Sequence, residues 1–276
     1  MFQPFGFMGT QAGGGGGDAD ANAYLSAVTT AGGTTNATID AAVNTLFTSL
    51  KSNSLYTKLQ VFYPFIGGTS ASTAINGNLN TSYNITWNGS LGFSANGVQG
   101  TGTNGDYGNT NFNPSTDGGG NDFSWGIYST AGNFNGEEYM FGAFDGTWLD
   151  IPRGDGDDKV GIYGWSSSQR TALTLTRGDG QYTGTFDAAA GNKSLYFNAD
   201  VPGYAAQTWT PGGGFGRANQ DVFLFVLNIN GTPYNNRYWD GSCRFFYYGE
   251  FLTASEVQTI NTIIQTFQTT LGRNTY

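Results

Sequence analysis

Apolar residues recur in two rhythms along this chain, and the changes of rhythm divide it. Between residues 18 and 52 the spacing is helical. Ala21, Tyr24, Leu25 and Val28 share a face behind an N-cap at Asp18 or Asp20, and Gly32-Gly33 ends the segment. A second helix is predicted from Asn36, because Ile39, Val43, Leu46, Phe47 and Leu50 fall at i, i+4, i+7, i+8 and i+11. The short link between them predicts an antiparallel helical hairpin with one apolar face to cover.

From about Leu59 to Leu252 the rhythm shortens. Runs rich in aromatic and β-branched residues alternate with Gly, Asn, Asp and Ser clusters. The predicted strands are 60–65, 83–87, 123–128, 138–144, 159–163, 171–176, 181–186, 193–197, 221–229 and 243–248. Hairpin chemistry lies between them at Asn88-Gly89, Asn96-Gly97, Asn104-Gly105, Asp145-Gly146, Asp179-Gly180 and Asn230-Gly231. So many short strands predict a β-sandwich and not βαβ units. Helical spacing then returns. Thr253 and Glu256 form a capping box, Val257, Ile260, Ile264, Phe267 and Leu271 form the stripe, and Gly272 is the stop. This helix is expected to pack on the hairpin.

Residues 1–17 follow neither rhythm. Phe2, Phe5, Phe7 and Met8 stand among Pro4, Gly6 and Gly9, and Gly13 to Gly17 follow. Consecutive glycines make a tether, so this stretch is read as an attachment arm that orders on a neighbouring subunit or partner protein. The expected organisation is an arm over 1–17, a helical hairpin over 18–56, a jelly-roll sandwich over 57–252, and a C-terminal helix over 253–276.

Composition removes much chemistry. There is no His in 276 residues, hence no imidazole base, no Ser-His-Asp triad and no His-ligated metal. The lone Cys243 cannot form an internal disulfide, and in its aromatic run it reads as a small buried apolar residue. A net charge of −9 with 11 Lys+Arg argues against nucleic acid. The longest apolar run, Val222 to Leu227, is far short of a bilayer span, so no membrane insertion is expected. Residues 1–17 have no positive n-region or continuous apolar stretch, so synthesis in a cytoplasm without an encoded export route is expected.

Candidate sites are few. Glycoside hydrolysis needs two opposed carboxylates, but Glu137 and Glu138 are adjacent and Glu256 is used in capping. No catalytic residue is assigned. Asp155, Asp157 and Asp158 cluster on a tight acidic loop and are a weak Ca²⁺ candidate without the EF-hand order, flanked by Arg153 and Lys159. Otherwise no cofactor is expected. Aromatics near turns can stack on sugar rings. Tyr163 and Trp165 alternate, so they share a strand face and form the candidate glycan contact; Trp125, Trp148, Trp209 and Trp239 serve equally well as core.

Three stretches carry a resemblance. Val61-Phe62-Tyr63-Pro64-Phe65-Ile66-Gly67-Gly68-Thr69 precedes Ile75-Asn76 and Tyr83 to Gly89. Gly102 to Tyr107 runs on to Phe112-Asn113-Pro114-Ser115, and Cys243 to Glu256 leads into the last helix. Together they resemble the concanavalin A-like (laminin-G-like) jelly-roll proteins found among tailed-phage structural proteins. The resemblance implies an antiparallel jelly-roll β-sandwich, a virion location and no enzyme activity. The expected function is a non-enzymatic virion structural protein: a capsid decoration, head fibre or tail component attached through its arm. It is expected to form a homo-oligomer and to contact other virion proteins. The alternative is a glycan-binding host-recognition module, and a polysaccharide depolymerase is the third reading.

Overall fold

The structure is a computed structural model. It describes residues 17–130, 138–146, 153–155, 159–162, 173–176, 179–201, 205–209 and 217–276. Three long helices bracket the strands: α1 (Ala19–Thr30), α2 (Ala37–Ser52) and α3 (Ala254–Thr270). Each starts where a side chain can satisfy free backbone N–H groups. Asp18 accepts from Asp20 and Ala21, Asn36 accepts from Thr38 and Ile39, and Thr253 and Glu256 close a reciprocal capping box.

In chain order the strands are β1 (Leu59–Tyr63), β2 (Thr86–Asn88), β3 (Gly92–Ser94), β4 (Gly97–Gln99), β5 (Tyr107–Asn109) and β6 (Phe123–Thr130). They continue with β7 (Glu138–Tyr139), β8 (Phe141–Phe144), β9 (Arg153–Asp155), β10 (Lys159–Ile162), β11 (Leu173–Thr176) and β12 (Gly180–Asp187). The last are β13 (Asn192–Phe197), β14 (Ala205–Trp209), β15 (Phe223–Leu224), β16 (Asn228–Ile229), β17 (Thr232–Pro233) and β18 (Ser242–Gly249). An eight-stranded sheet runs β14-β13-β12-β6-β18-β4-β3, with β1 also paired to β18. A six-stranded sheet runs β17-β16-β8-β15-β5-β2, and β11-β10-β9-β7 form a smaller one. Most pairs are antiparallel; β16 on β8 is parallel. The chain is mainly β, a sandwich with helices at both ends, as the rhythm of the sequence predicts.

Two cores share the larger sheet. On its inner face Phe123, Trp125, Ile127, Tyr182, Phe186, Phe246 and Tyr248 pack against Phe141, Leu224 and Phe225 from the opposing side. On its outer face Tyr128, Tyr196, Phe245 and Tyr247 meet Tyr24, Phe47, Ile260, Ile264 and Phe267 of the helices. A bulge between Cys243 and Phe245 shifts the alternation in β18, so that Phe245 faces the helices although Cys243 belongs to the sandwich core. Glycine makes room for the largest rings. A Cβ on Gly126 would stand 2.1 Å from the Tyr247 ring, and one on Gly184 would stand 2.4 Å from Trp125.

Several elements differ from the sequence reading. The run 221–229 is not one strand, because Phe225 adopts φ 68° and turns the chain between β15 and β16. Residues 81–83 form a 3-10 turn capped by Asn80, which delays the strand to Thr86. The predicted strand 138–144 breaks at Met140 into β7 and β8.

Arg273 follows α3 and is buried, at 2% exposure. Its guanidinium donates to the carbonyls of Phe65 at 2.9 Å, Pro64 at 3.2 Å, Ala95 at 3.3 Å and Arg244 at 3.3 Å, and to Gln268 Oε1 at 2.9 Å. Burial, helped by the nearby Arg244 charge, pulls its pKa down to about 9, so the side chain stays charged at neutral pH. Replacing it leaves buried carbonyls unpaired. Arg273→Met is expected to lower stability by about 2–4 kcal/mol in urea denaturation, and Arg273→Lys is expected to recover little of it, lacking the planar fork.

Asp18 joins the hairpin to itself through Lys51 Nζ at 2.7 Å. Burial raises its pKa, but the Lys51 hydrogen bond and the N–H groups of Ala21 and Asp20 outweigh that, leaving it below the ordinary 3.8. A lowered carboxylate stabilises the fold above its ordinary pKa, and that contribution vanishes as pH falls through the folded value. Melting measured from pH 6 to pH 3 should therefore decline less in Asp18→Asn than in the wild type.

Candidate functional site

Three of the four sheet faces in the sandwich are closed among the described residues. The two inner faces meet in the core, and α1, α2 and α3 cover the outer face of the larger sheet. The outer face of the six-stranded sheet carries a small cluster of its own: Phe223 and Tyr238 are buried there, and Tyr107 and Asn109 are partly exposed. Its residues follow from β-strand alternation. A Cβ on Gly108 would meet the Trp87 ring at 2.4 Å inside the core, so the flanking Tyr107 and Asn109 point outward. Leu224 belongs to the sandwich core, and its neighbour Phe223 packs instead with Tyr107, Val226 and Tyr238.

The register then sets a row across four strands. Thr86 stands opposite Asn109, Asn109 opposite Phe223, and Phe223 opposite Gly142. Beside it the Tyr107 and Phe223 rings stack with centroids 4.7 Å apart. Elsewhere, the buried Tyr139 of β7 meets Tyr234 with ring centroids 5.9 Å apart, and Tyr234 is 37% exposed. Tyr107 is half-buried; burial raises its hydroxyl pKa, with Tyr238 adding to the effect, so its ring is a neutral phenol in ordinary buffers.

Short-side-chain amides hold the rim. Asn104 Nδ2 donates to Asn236 Oδ1 at 3.0 Å, and the Asn236 N–H returns a bond to Asn104 Oδ1 at 2.9 Å. This ties the turn before β5 to the loop before Tyr238. Asn109 Nδ2 donates to Asp221 Oδ2 at 3.1 Å. Asp106 accepts from the Ser90 N–H at 2.7 Å and from Thr101 Oγ1. Asn230-Gly231 makes the hairpin turn between β16 and β17 with φ 51° and 83°, the left-handed pair that a two-residue turn requires. The face thus offers aromatic rings, amides and a carboxylate on a rigid sheet. Among the described residues no group of three His, Cys, Asp or Glu side chains could hold a metal ion.

Phe2, Phe5, Phe7, Met8, Asp157, Asp158, Tyr163 and Trp165 lie outside the described residues, as do Glu137 and Trp148. Asp155 ends β9, where its backbone pairs with Lys159. Trp125 and Trp239 are buried in the sandwich core. Tyr107 and Tyr234 escaped sequence reasoning, although each lies a few residues after an Asn-Gly turn that could have marked it.

No protein-family profile matches the chain, and no curated protein does. Solved structures share its architecture. The binding domain of botulinum neurotoxin serotype D aligns with a TM-score of 0.50 at 10% identity, over 74% of this chain and 50% of that one. Domain 4 of AbnA, a GH43 extracellular arabinanase from Geobacillus stearothermophilus solved with arabinotriose, aligns at 0.49 with 18% identity, over 74% and 98%. The NanB sialidase from Streptococcus pneumoniae aligns at 0.45 with 12% identity over 58% of this chain, which spans only 26% of the sialidase. The likeness is one of fold: a mainly β sandwich. Among the described residues no helix is long and apolar enough to cross a membrane.

Proposed function

We propose that the chain is a non-catalytic glycan-binding module whose binding face is the outer face of the six-stranded sheet. One observation carries this reading. On a face that the helices do not cover, the partly exposed Tyr107 stands on the same strand as Asn109, with the Asn104–Asn236 pair at the rim and the exposed Tyr234 just after β17. Sugars present apolar C–H faces that stack on aromatic rings, and hydroxyls that bond to fixed amides. The geometry suits binding more than hydrolysis. Asp221 is tied to Asn109 and Asp106 to Ser90 and Thr101, so these carboxylates brace the face.

A glycan array should identify the ligand. Tyr107→Ala and Tyr234→Ala are each expected to weaken its binding about tenfold, which is about 1.4 kcal/mol, with melting unchanged for Tyr234→Ala. Thr262→Ala, on the exposed side of α3, should bind as wild type. An array without hits, or tyrosine variants that bind normally, would overturn the reading.

A second reading, a virion structural protein joined to its particle by residues 1–17, draws on one feature of the fold. The resembling stretches sit together: Tyr63 pairs with Phe246, and Arg273 at the end of the terminal helix bonds to Pro64 and Phe65. Buried neighbours of this kind support a shared scaffold, and a scaffold hosts many functions. Under this reading the chain lacking residues 1–17 folds but fails to join the particle. Incorporation at wild-type occupancy would contradict it.

A further inference from the structure

A groove of about 490 Å³ opens where the helical layer meets the β3–β4 hairpin. Its available apolar surface comes from Ile39, Ala95 and Leu271 over a floor of buried Ile66, with Thr34, Asn36, Thr38, Thr69 and Ser94 around them, and no charged side chain lines it. Ile39 and Leu271 pack on the helical core yet remain partly exposed, and Ala95 is exposed at the hairpin tip. Backbone bonds hold the walls in place: the Thr34 N–H donates to Gly67 O at 2.9 Å, and Arg273 grips the carbonyls of Phe65 and Ala95. The cleft between α2 and α3 offers less. Its apolar residues Ala42, Leu46, Ile263 and Phe267 are already buried, and the hydroxyls of Thr259, Thr262, Thr266 and Thr270 bond to their own helix.

We propose that this groove is the docking site for the N-terminal arm of the same chain, residues 1–8, seated by Phe2, Phe5, Phe7 and Met8. Two features select that occupant. Residues 1–17 carry no charged side chain and place these four apolar residues among amide and hydroxyl groups, matching a groove that is apolar, hydroxyl-rimmed and uncharged. The reach also fits. The described chain starts at Gly17 against Asn44, at the opposite end of α1 from the groove, and α1's 12 residues span about 18 Å. Residues 9–17 lie between Met8 and that point and extend to about 30 Å. Polyglycine has no side chains to obstruct its passage along the helix. Tethering to the same chain gives a millimolar effective concentration, so the free chain fills its own groove before a neighbour does. The arm is then released only when a stronger site is presented.

The test uses the full chain with Phe2, Phe5 and Phe7 replaced by Ser, titrated with a fluorescent synthetic peptide of residues 1–12 and followed by anisotropy. The triple variant is expected to bind the peptide saturably, and the wild type at least tenfold more weakly because its own arm competes. Adding Ala95→Glu or Thr38→Glu, both at exposed positions, is expected to abolish binding by the triple variant while melting stays unchanged. The proposal is overturned if the triple variant does not bind, if the Glu variants bind equally well, or if the wild type binds as tightly as the triple variant. Tight peptide binding by a wild type that also dimerises would mean exchange of arms between copies, and would equally overturn it.

Discussion

Strand β18 has no solvent face, and the rest of the molecule is arranged around that constraint. Phe246 and Tyr248 enter the sandwich core while Phe245 and Tyr247 enter the helical layer. A sheet with four consecutive aromatic residues on one central strand must be covered on both sides. The helices therefore belong to the fold and are not ornaments. Their coverage of the larger sheet also means that, among the described residues, its outer face is not offered to a ligand.

Arg273 ties this covering layer down. A buried cation without a carboxylate partner is tolerable only where enough acceptors replace water, and here the acceptors are main-chain carbonyls of the loops that follow β1 and β3. One of them belongs to Phe65, which sits at φ 45°, a costly conformation for a residue with a Cβ. The same guanidinium lies 5.5 Å from the Phe267 ring centroid. A single side chain thus fastens the end of α3, a strained turn and the hairpin that walls the groove.

Much of the framework was legible in the residues. Caps at Asp18, Asn36 and Thr253 and the stripes behind them mark the helices, because local capping and periodicity are read within a few residues. The run 222–227 reads as a strand because it is apolar throughout and carries no sign of the left-handed turn at Phe225, whose carbonyl accepts the backbone N–H of Trp239 at 2.9 Å. Short strands such as β3 and β4 hold one β-branched residue, Val98, and exist through their pairing with each other and with Ser242 and Cys243. The candidate face was invisible for a related reason. Positions 86, 109, 223 and 142 become neighbours only through register, and three-residue strands are too short to display alternation. Tyr163 and Trp165 alternate in sequence, a local signal that says nothing of which sheet face they join, and both lie outside the described residues.

The proposed glycan binding by the outer face of the six-stranded sheet is most directly tested by hydrogen exchange with and without a saturating oligosaccharide. Slowed exchange is expected in 104–109 and 230–238, the segments joined by the Asn104–Asn236 pair, with the helical layer unchanged. Protection confined to α1, α2 and α3, or absent from both segments despite saturable binding, would contradict the assignment of this face.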